Sequence, residues 1–386
     1  MNSWQFETTV TAQREDERGT WIALAATHFY AEGGGQPADT GTIGGQAVLD
    51  VQRDDSTVWH LVNEPIDEAT VVIGQIDAAT RHDHSIQHTA QHVLTALLED
   101  RYGIETLSFG ISADDSSIEI AAESFDWELI ETLERDVQQI IFDNRPIHIF
   151  ELQDGEVEHD RLRKATDRTG TIRIVEIDGL DYNACGGTHV STTGQLGIIK
   201  VTSMKKVRGN VRLTYIAGMR ALTVIQSSRT ALRAIHQTLS TTNETVAARV
   251  AEERTARLER EKEVKVLEAR VAKAKVAAFL QEDNYVITHI GKTEAETLTT
   301  MIVERIAATG RIAVGANHTG QKLLLMHDGT HDIAIGKFLK RTLDDLGIGR
   351  GGGSHKQAQA RFESIVDLER ATAEVVKRLQ EGVVSC

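Results

Sequence analysis

Residues 85–98 read SIQHTAQHVLTALL, and with them the chain turns from strand to helix. Ile86, Ala90, Val93, Leu94, Leu97 and Leu98 recur at intervals of three and four, the signature of an amphipathic helix, which we start near His82. His88 and His92 lie along the edge of this stripe; four apart, they project from one face and could grip one ion together. Upstream the period is two. Residues 20–25, 47–51, 57–62 and 71–76 alternate apolar and polar between turn residues, which predicts short antiparallel strands in a small barrel. Within it, AEGGGQPADTG (31–41) places Gly33, Gly34 and Gly35 in a loop where backbone approaches something closely.

Downstream, a second helix is predicted over 127–144, ending before Pro146. Strands follow at 147–152, 171–177, 196–203 and 211–217. Helices and strands are mixed without strict βαβ order, so the fold class is α+β. Residues 219–282 read as helix, broken near 241–243, with Asn243 as the N-cap of the second arm. Val264, Leu267, Val271, Ala274 and Ala278 are spaced three and four in the coiled-coil manner, and nine acidic and nine basic residues interleave between 244 and 283. An arm of ~40 residues spans roughly 60 Å and reads as one half of a helical hairpin, or as an ordinary packed helix pair. The last hundred residues read β-α-β-β-α, with strands at 285–290, 311–316 and 322–327 and helices at 294–308 and 332–346. GRGGGSHKQAQA (349–360) then leads into a final helix. The expected parts are a β-barrel (1–80), a metal-binding α+β domain (81–218), a helical hairpin (219–283) and a small α/β domain (284–386).

Forty per cent hydrophobic and 26% charged residues in a 386-residue chain fit a globular protein of several domains. Two cysteines, one of them Cys386, exclude a disulfide framework and fit a reducing, cytoplasmic compartment. No signal peptide is read at the N-terminus, and no apolar run approaches the ~18 residues of a membrane span. The net charge of −15 argues against wholesale nucleic-acid binding, but its distribution does not. Between Asp181 and Glu244 there is no acidic residue and there are eight basic ones, among them Lys200, Lys205, Lys206, Arg208 and Arg212. Such a stripe can bind phosphates, or it is a solvated face with acidic neighbours folded against it.

A second pair of ligand-type residues, Cys185 and His189 in CGGTH, repeats the spacing of four. Thiolate and imidazole are the ligands zinc prefers, and four make a tetrahedral set, so we expect one Zn2+ per chain on His88, His92, Cys185 and His189. The site could be a closed structural staple or a catalytic site with one loose ligand. It could activate water or hold a substrate's amino group. Thr89 stands where the zincin pattern requires a glutamate.

These motifs resemble the editing domain of alanyl-tRNA synthetase and, most closely, the stand-alone alanyl-tRNA editing proteins of the AlaX family in their long form. THFYAEGGGQPADTG (27–41) is similar to that family's glycine loop, SIQHTAQHVLTALL to its first metal motif, and CGGTHVSTTGQLGIIK (185–200) to its second. GRGGGSHKQAQA resembles the glycine motif of the DHH-associated domain. The resemblance implies a zinc-dependent deacylase acting on tRNA(Ala) mischarged with serine or glycine. His88, His92, Cys185 and His189 fall on the zinc ligands. Gly33, Gly34, Gly35 and Gln36 fall on the loop near the tRNA 3′ end, and Ser108 near a hydroxyl residue that senses serine. Lys200, Lys205, Lys206, Arg208 and Arg212 would meet tRNA phosphate. Gly351, Gly352, Gly353 and His355 form the C-terminal glycine motif, and a homodimer through that region is a further expectation. The competing readings are a non-catalytic tRNA-binding module with structural zinc, and an editing enzyme for another mischarged tRNA such as threonyl-tRNA.

Overall fold

The computed structural model describes residues 4–54, 57–281 and 284–382; Cys386, and the end of the helical run read to residue 282, lie outside them. The architecture is mixed α+β, and the chain divides into two compact units, Met1–Ala234 and Ile235–Cys386.

The first unit opens with strands β1 (Gln5–Asp16), β2 (Gly19–Leu24), β3 (Gly41–Ile43), β4 (Gln46–Val48), β5 (Asp50–Asp54), β6 (Thr57–Val62) and β7 (Val71–Ile76). They form one antiparallel sheet in the order β4-β3-β7-β1-β2-β6-β5. β1 serves both halves: residues 5–9 pair with β7, and from Val10 onward, with a bulge between Val10 and Ala12, the strand pairs with β2. The two edge strands are separated in sequence by Leu49 alone, whose N–H donates to the Leu61 carbonyl at 2.9 Å. The sheet is therefore nearly closed, around Phe6, Val10, Ile22, Phe29, Ile43, Val51, Val62 and Ile76. β1 was not among the expected strands, because its inward face alternates Phe6, Thr8 and Val10 and so carries a buried threonine.

One residue, Asp77, separates β7 from α1 (Ala78–Tyr102). Its carboxylate accepts from the N–H groups of Ala79 and Thr80, which starts the helix four residues before the expected His82. Gly103, at φ 63°, ends it. Then come β8 (Thr106–Ile111), β9 (Ser116–Ile120), α2 (Trp127–Asp143), β10 (Ile147–Gln153), β11 (Thr171–Ile177), β12 (Asp181–Ala184), β13 (Ile199–Val207) and β14 (Asn210–Ala217). They make a four-stranded sheet, β13-β14-β9-β8, and a three-stranded one, β10-β11-β12. Leu94 and Leu98 of α1, Leu133 and Val137 of α2, and Ile118 and Tyr215 of the larger sheet share one core. This buried side of α1 leaves its histidine edge free for the site.

α3 (Met219–Leu239) runs across the division between the units. The second unit contains α4 (Val246–Phe279), β15 (Val286–Gly291), α5 (Glu296–Ala307), β16 (Ile312–Asn317), β17 (Lys322–Met326), α6 (Ile335–Leu346), β18 (Arg350–Gly353), β19 (Gln357–Arg361) and α7 (Ile365–Gln380). Its sheet runs β15-β16-β17-β19-β18, parallel only between β15 and β16. One expectation is corrected and one is filled in. Thr245, not Asn243, occupies the N-cap of α4, and its side chain makes no capping bond there. The glycine run 351–353 is an edge strand of a hairpin, which in turn precedes the final helix. No helix among the described residues is long and apolar enough to cross a membrane.

Candidate metal centre

α1 presents His88 and His92 on consecutive turns, and the loop after β12 brings Cys185 and His189 against them. One ligand atom from each of the four lies within 4.8 Å of all the others, and the group could hold a metal ion. Cys185 Sγ stands 3.5 Å from His88 Nε2 and 3.3 Å from His189 Nε2. Close approach explains one glycine of CGGTH: a Cβ on Gly187 would lie 2.0 Å from the His88 ring.

Each imidazole is held from behind by its other nitrogen. His88 Nδ1 donates to Gln36 Oε1 (2.8 Å), an oxygen that also accepts from the Thr188 N–H (3.0 Å). The Gln36 amide nitrogen donates to Thr188 Oγ1 (2.9 Å), so the orientation of this fully buried side chain is fixed. His92 Nδ1 faces Asp181 Oδ2 at 2.7 Å, and His189 Nδ1 pairs with Thr89 Oγ1 at 3.1 Å. Asp181 in turn accepts from Arg163 Nε (2.6 Å) and from Asn183. With Nδ1 engaged, Nε2 is the atom that His88 and His92 leave for a metal, which on His92 would take the place of a proton.

The charges suit a cation. Burial holds His88 and His189 below the ordinary imidazole value, His189 at about 3, so both stay neutral and able to coordinate. Burial opposes the Cys185 thiolate, but the bonds from His189, His88 and His92 outweigh it and pull the thiol far down, to about 2. Burial likewise opposes a charge on His92, and Asp181 with the thiolate overcomes it. Thiolate and neutral imidazole are the protonation states that metal binding needs.

The centre opens into a pocket of about 1110 Å³ lined by Tyr30, Gly33, Gly34, Gln91, Thr95, Ser108, Phe109, Lys164, Arg168 and Arg173, among others. The glycine loop reaches it as a tight turn, with Gly33 and Gln36 exchanging backbone bonds and Gly35 O accepting from the Ile111 N–H. Ser108 lies exposed on β8 at this pocket. The basic stripe does not line it: β13 and β14 sit at the other edge of the sheet from β8. Lys200 pairs with Glu134, and Arg212 with Glu119 at 3.2 Å, while Lys205, Lys206 and Arg208 are exposed around the β13–β14 hairpin turn. Gly351, Gly352, Gly353 and His355 belong to the second unit, where the His355 carbonyl accepts from the Ile335 N–H and His327 Nε2.

Sequence reasoning missed Asp181, Arg163, Lys164, Arg168 and Arg173. Asp181 carried a signal, standing four residues before Cys185 as the last acid before the acid-free run. Arg163 and Arg173 meet their partners across the fold, and no local spacing announces them.

A family model described as "Threonyl and Alanyl tRNA synthetase second additional domain" matches residues 172–214, which include Cys185 and His189. "Alanyl-tRNA editing protein Aarsd1-A" of Xenopus laevis is 35% identical over 54% of this chain and 51% of its own length. "Alanyl-tRNA editing protein AlaX-L" of Pyrococcus horikoshii is 29% identical over 92% of this chain and 91% of its own. "Alanine--tRNA ligase" of Methanococcus vannielii is 29% identical over 92% of this chain and 40% of its own. The chain thus spans about half the length of the Aarsd1 relatives and nearly all of AlaX-L. Its motifs, the matched domain and the near full-length match make it a homologue of the alanyl-tRNA editing proteins.

Proposed function

We propose that this chain is a zinc-dependent editing hydrolase that deacylates mischarged tRNA(Ala), chiefly Ser-tRNA(Ala), with the glycine ester, which lacks the hydroxyl, as an outcome for the assay to decide. The observation that carries it is the convergence of His88, His92, Cys185 and His189, three of which line an open pocket, in a chain homologous to editing proteins. The donor set suits zinc. Tetrahedral bonds of ~2.0–2.1 Å to nitrogen and ~2.3 Å to sulfur place the two donor types about 3.5 Å apart, and Cys185 Sγ stands 3.5 and 3.3 Å from two imidazole nitrogens. A thiolate also disfavours the hard cations magnesium and calcium.

When bound, zinc supplies Lewis acidity towards an ester carbonyl or a water. Gln36, Asp181 and Thr89 fix the imidazoles so that little reorganisation is needed at the moment of reaction. An aminoacyl ester is intrinsically labile, so holding ester and water in register is most of the task. Serine exceeds alanine by a hydroxyl that a synthetic site rejects poorly; a second site that hydrogen-bonds this hydroxyl, with Ser108 at its wall, spares alanine. Gly33 and Gly34 border the same pocket and would meet the terminal adenosine. Lys200, Lys205, Lys206, Arg208 and Arg212 are proposed tRNA contacts, with Lys200 and Arg212 exchanging a carboxylate partner for phosphate. In this reading 1–80 and 81–218 form the editing half, 219–283 is a helical linker, and 284–386 is a DHH-associated domain whose Gly351–Gly353 and His355 motif serves tRNA or a second subunit. The protein would work in the cytoplasm.

The test is a deacylation assay with Ser-, Gly- and Ala-tRNA(Ala) side by side. The zinc-loaded chain is expected to cleave the serine ester and spare the alanine ester, and Cys185→Ala to lose stoichiometric zinc and hydrolysis together. A wild-type chain that binds tRNA(Ala) and cleaves no ester is a binding module, and the proposal fails.

A further inference from the structure

Segment 162–170 runs along the mouth of the metal pocket without helix or strand, and Arg163, Lys164, Thr166 and Arg168 line the opening. It is fastened at its ends. The Arg163 N–H donates to the Tyr182 carbonyl (3.0 Å), the Lys164 N–H to Asn183 Oδ1 (3.3 Å), and the Gly170 carbonyl accepts from the Asp154 N–H (2.9 Å). The Arg163 side chain is spent on structure: it bonds Asp181, Asp100, Glu99 and the Leu180 carbonyl. The root of the segment is thereby tied to the carboxylate that orients His92.

Lys164 and Arg168 differ. Both are exposed, and among the described residues neither has a carboxylate within ion-pair distance. The Arg168 guanidinium lies beside the metal loop, since a Cβ on Gly186 would come within 3.9 Å of its Nη1. In a chain of net charge −15, three cations of the basic stripe are answered internally: Lys200 by Glu134, Arg212 by Glu119, Arg220 by Asp83. Of the carboxylates lining the pocket, Glu99 is taken by Arg163 and Glu32 is bonded by Gln52, while Glu105 stands one residue before β8. Two cations left without counter-charge beside a metal centre suit a polyanion, and a guanidinium matches phosphate oxygens two at a time.

We propose that segment 162–170 is a phosphate-binding strap, with Lys164 and Arg168 contacting backbone phosphates of a single-stranded RNA end whose last nucleoside enters the metal pocket. The strap rests on the proposed function for the identity of that RNA. It also moves the main phosphate contacts from the β13–β14 hairpin to the pocket mouth.

The experiment measures the dissociation constant of uncharged tRNA(Ala) transcript across a salt series. Wild type is compared with Lys164→Ala/Arg168→Ala, Lys205→Ala/Lys206→Ala and the charge-keeping Lys164→Arg/Arg168→Lys. The strap double-alanine variant is expected to bind at least about tenfold more weakly, with a log–log salt slope shallower by about 1.4, the yield of two single-strand phosphates. The hairpin variant should change less, and the charge-keeping variant should keep the wild-type salt slope and lose less affinity than the double-alanine one. An unchanged affinity and slope in the double-alanine variant would overturn the strap, and so would equal loss in the charge-keeping one. The readout needs no hydrolysis, so these results bear on the strap alone; a wild type that cleaves no ester bears on the proposed function alone.

Discussion

The molecule contains two runs of three glycines, and they do opposite things. In the first unit, Gly33 to Gly35 make a turn, with φ of +58° and +81° at Gly34 and Gly35, that delivers Gln36 to His88 and Thr188. In the second, Gly351 to Gly353 lie in an edge strand beneath the start of α6. Composition is the same; what differs is what presses on each run. Gly35 is closed in by another strand, where a Cβ would meet the Phe109 carbonyl oxygen at 2.4 Å. Gly353 is closed in by its own hairpin, where a Cβ would meet the Gln357 carbonyl oxygen at 2.1 Å. Gly352, between the crowded Gly351 and Gly353, faces open space. A glycine run is therefore a statement about close approach at particular positions, and its neighbours decide whether it serves a site or a sheet.

The largest effect expected is at the first run. Gly35→Ala combines a left-handed backbone with an overlap and should cost about 2–5 kcal/mol of stability. By displacing Gln36 from His88 it should also weaken metal affinity by about 10–100-fold. Denaturant melts and a competitive chelator titration read the two, and wild-type metal affinity in this variant would break the assigned link between loop and centre. Gly353→Ala should cost about 1–3 kcal/mol in the second unit while the chain keeps its metal; loss of metal there would erase the contrast.

Acid sharpens the comparison, because the barrel that carries the first run holds a buried histidine. Burial lowers His60 to about 4; its Nε2 meets the Thr27 hydroxyl at 2.8 Å, and its Nδ1 the Ile22 carbonyl at 3.2 Å. With a folded pKa below the unfolded value of about 6.5, its share of stability is whole above that value and drains away as pH falls towards 4. Between pH 7 and pH 5 the loss is about 2 kcal/mol. Stability curves of wild type and His60→Gln should therefore converge in the acid range, and parallel curves would refute the assignment. The smallest effect is Gly352→Ala, which should be neutral or gain under about 1 kcal/mol; a marked loss would mean that the open space there is filled in solution.

Much of this was legible in the sequence, for reasons that separate local from distant information. The histidine spacing was legible because i and i+4 share a helix face, and α2, β6 and β7 were legible because their periods are clean. The short strands β8, β9 and β12 were not, being rich in Ser, Gly and Asn that favour turns when read alone. Gln36 was legible as part of a motif, but its bond to Thr188 spans 152 residues and no local pattern reports it. That the stripe has acidic neighbours folded against it was one of its two readings, but Glu134 and Glu119, the partners of Lys200 and Arg212, lie too far upstream for the sequence to name them.

The single residue joining β4 to β5 has a consequence for the life of the protein outside its reaction. A curved sheet stitched shut at Leu49 offers little unpaired ladder to a passing chain, so the barrel resists the rim-to-rim stacking by which β proteins precipitate. Lengthening that joint by a few residues would uncover two rims at once, and the cell would meet the result first as insolubility.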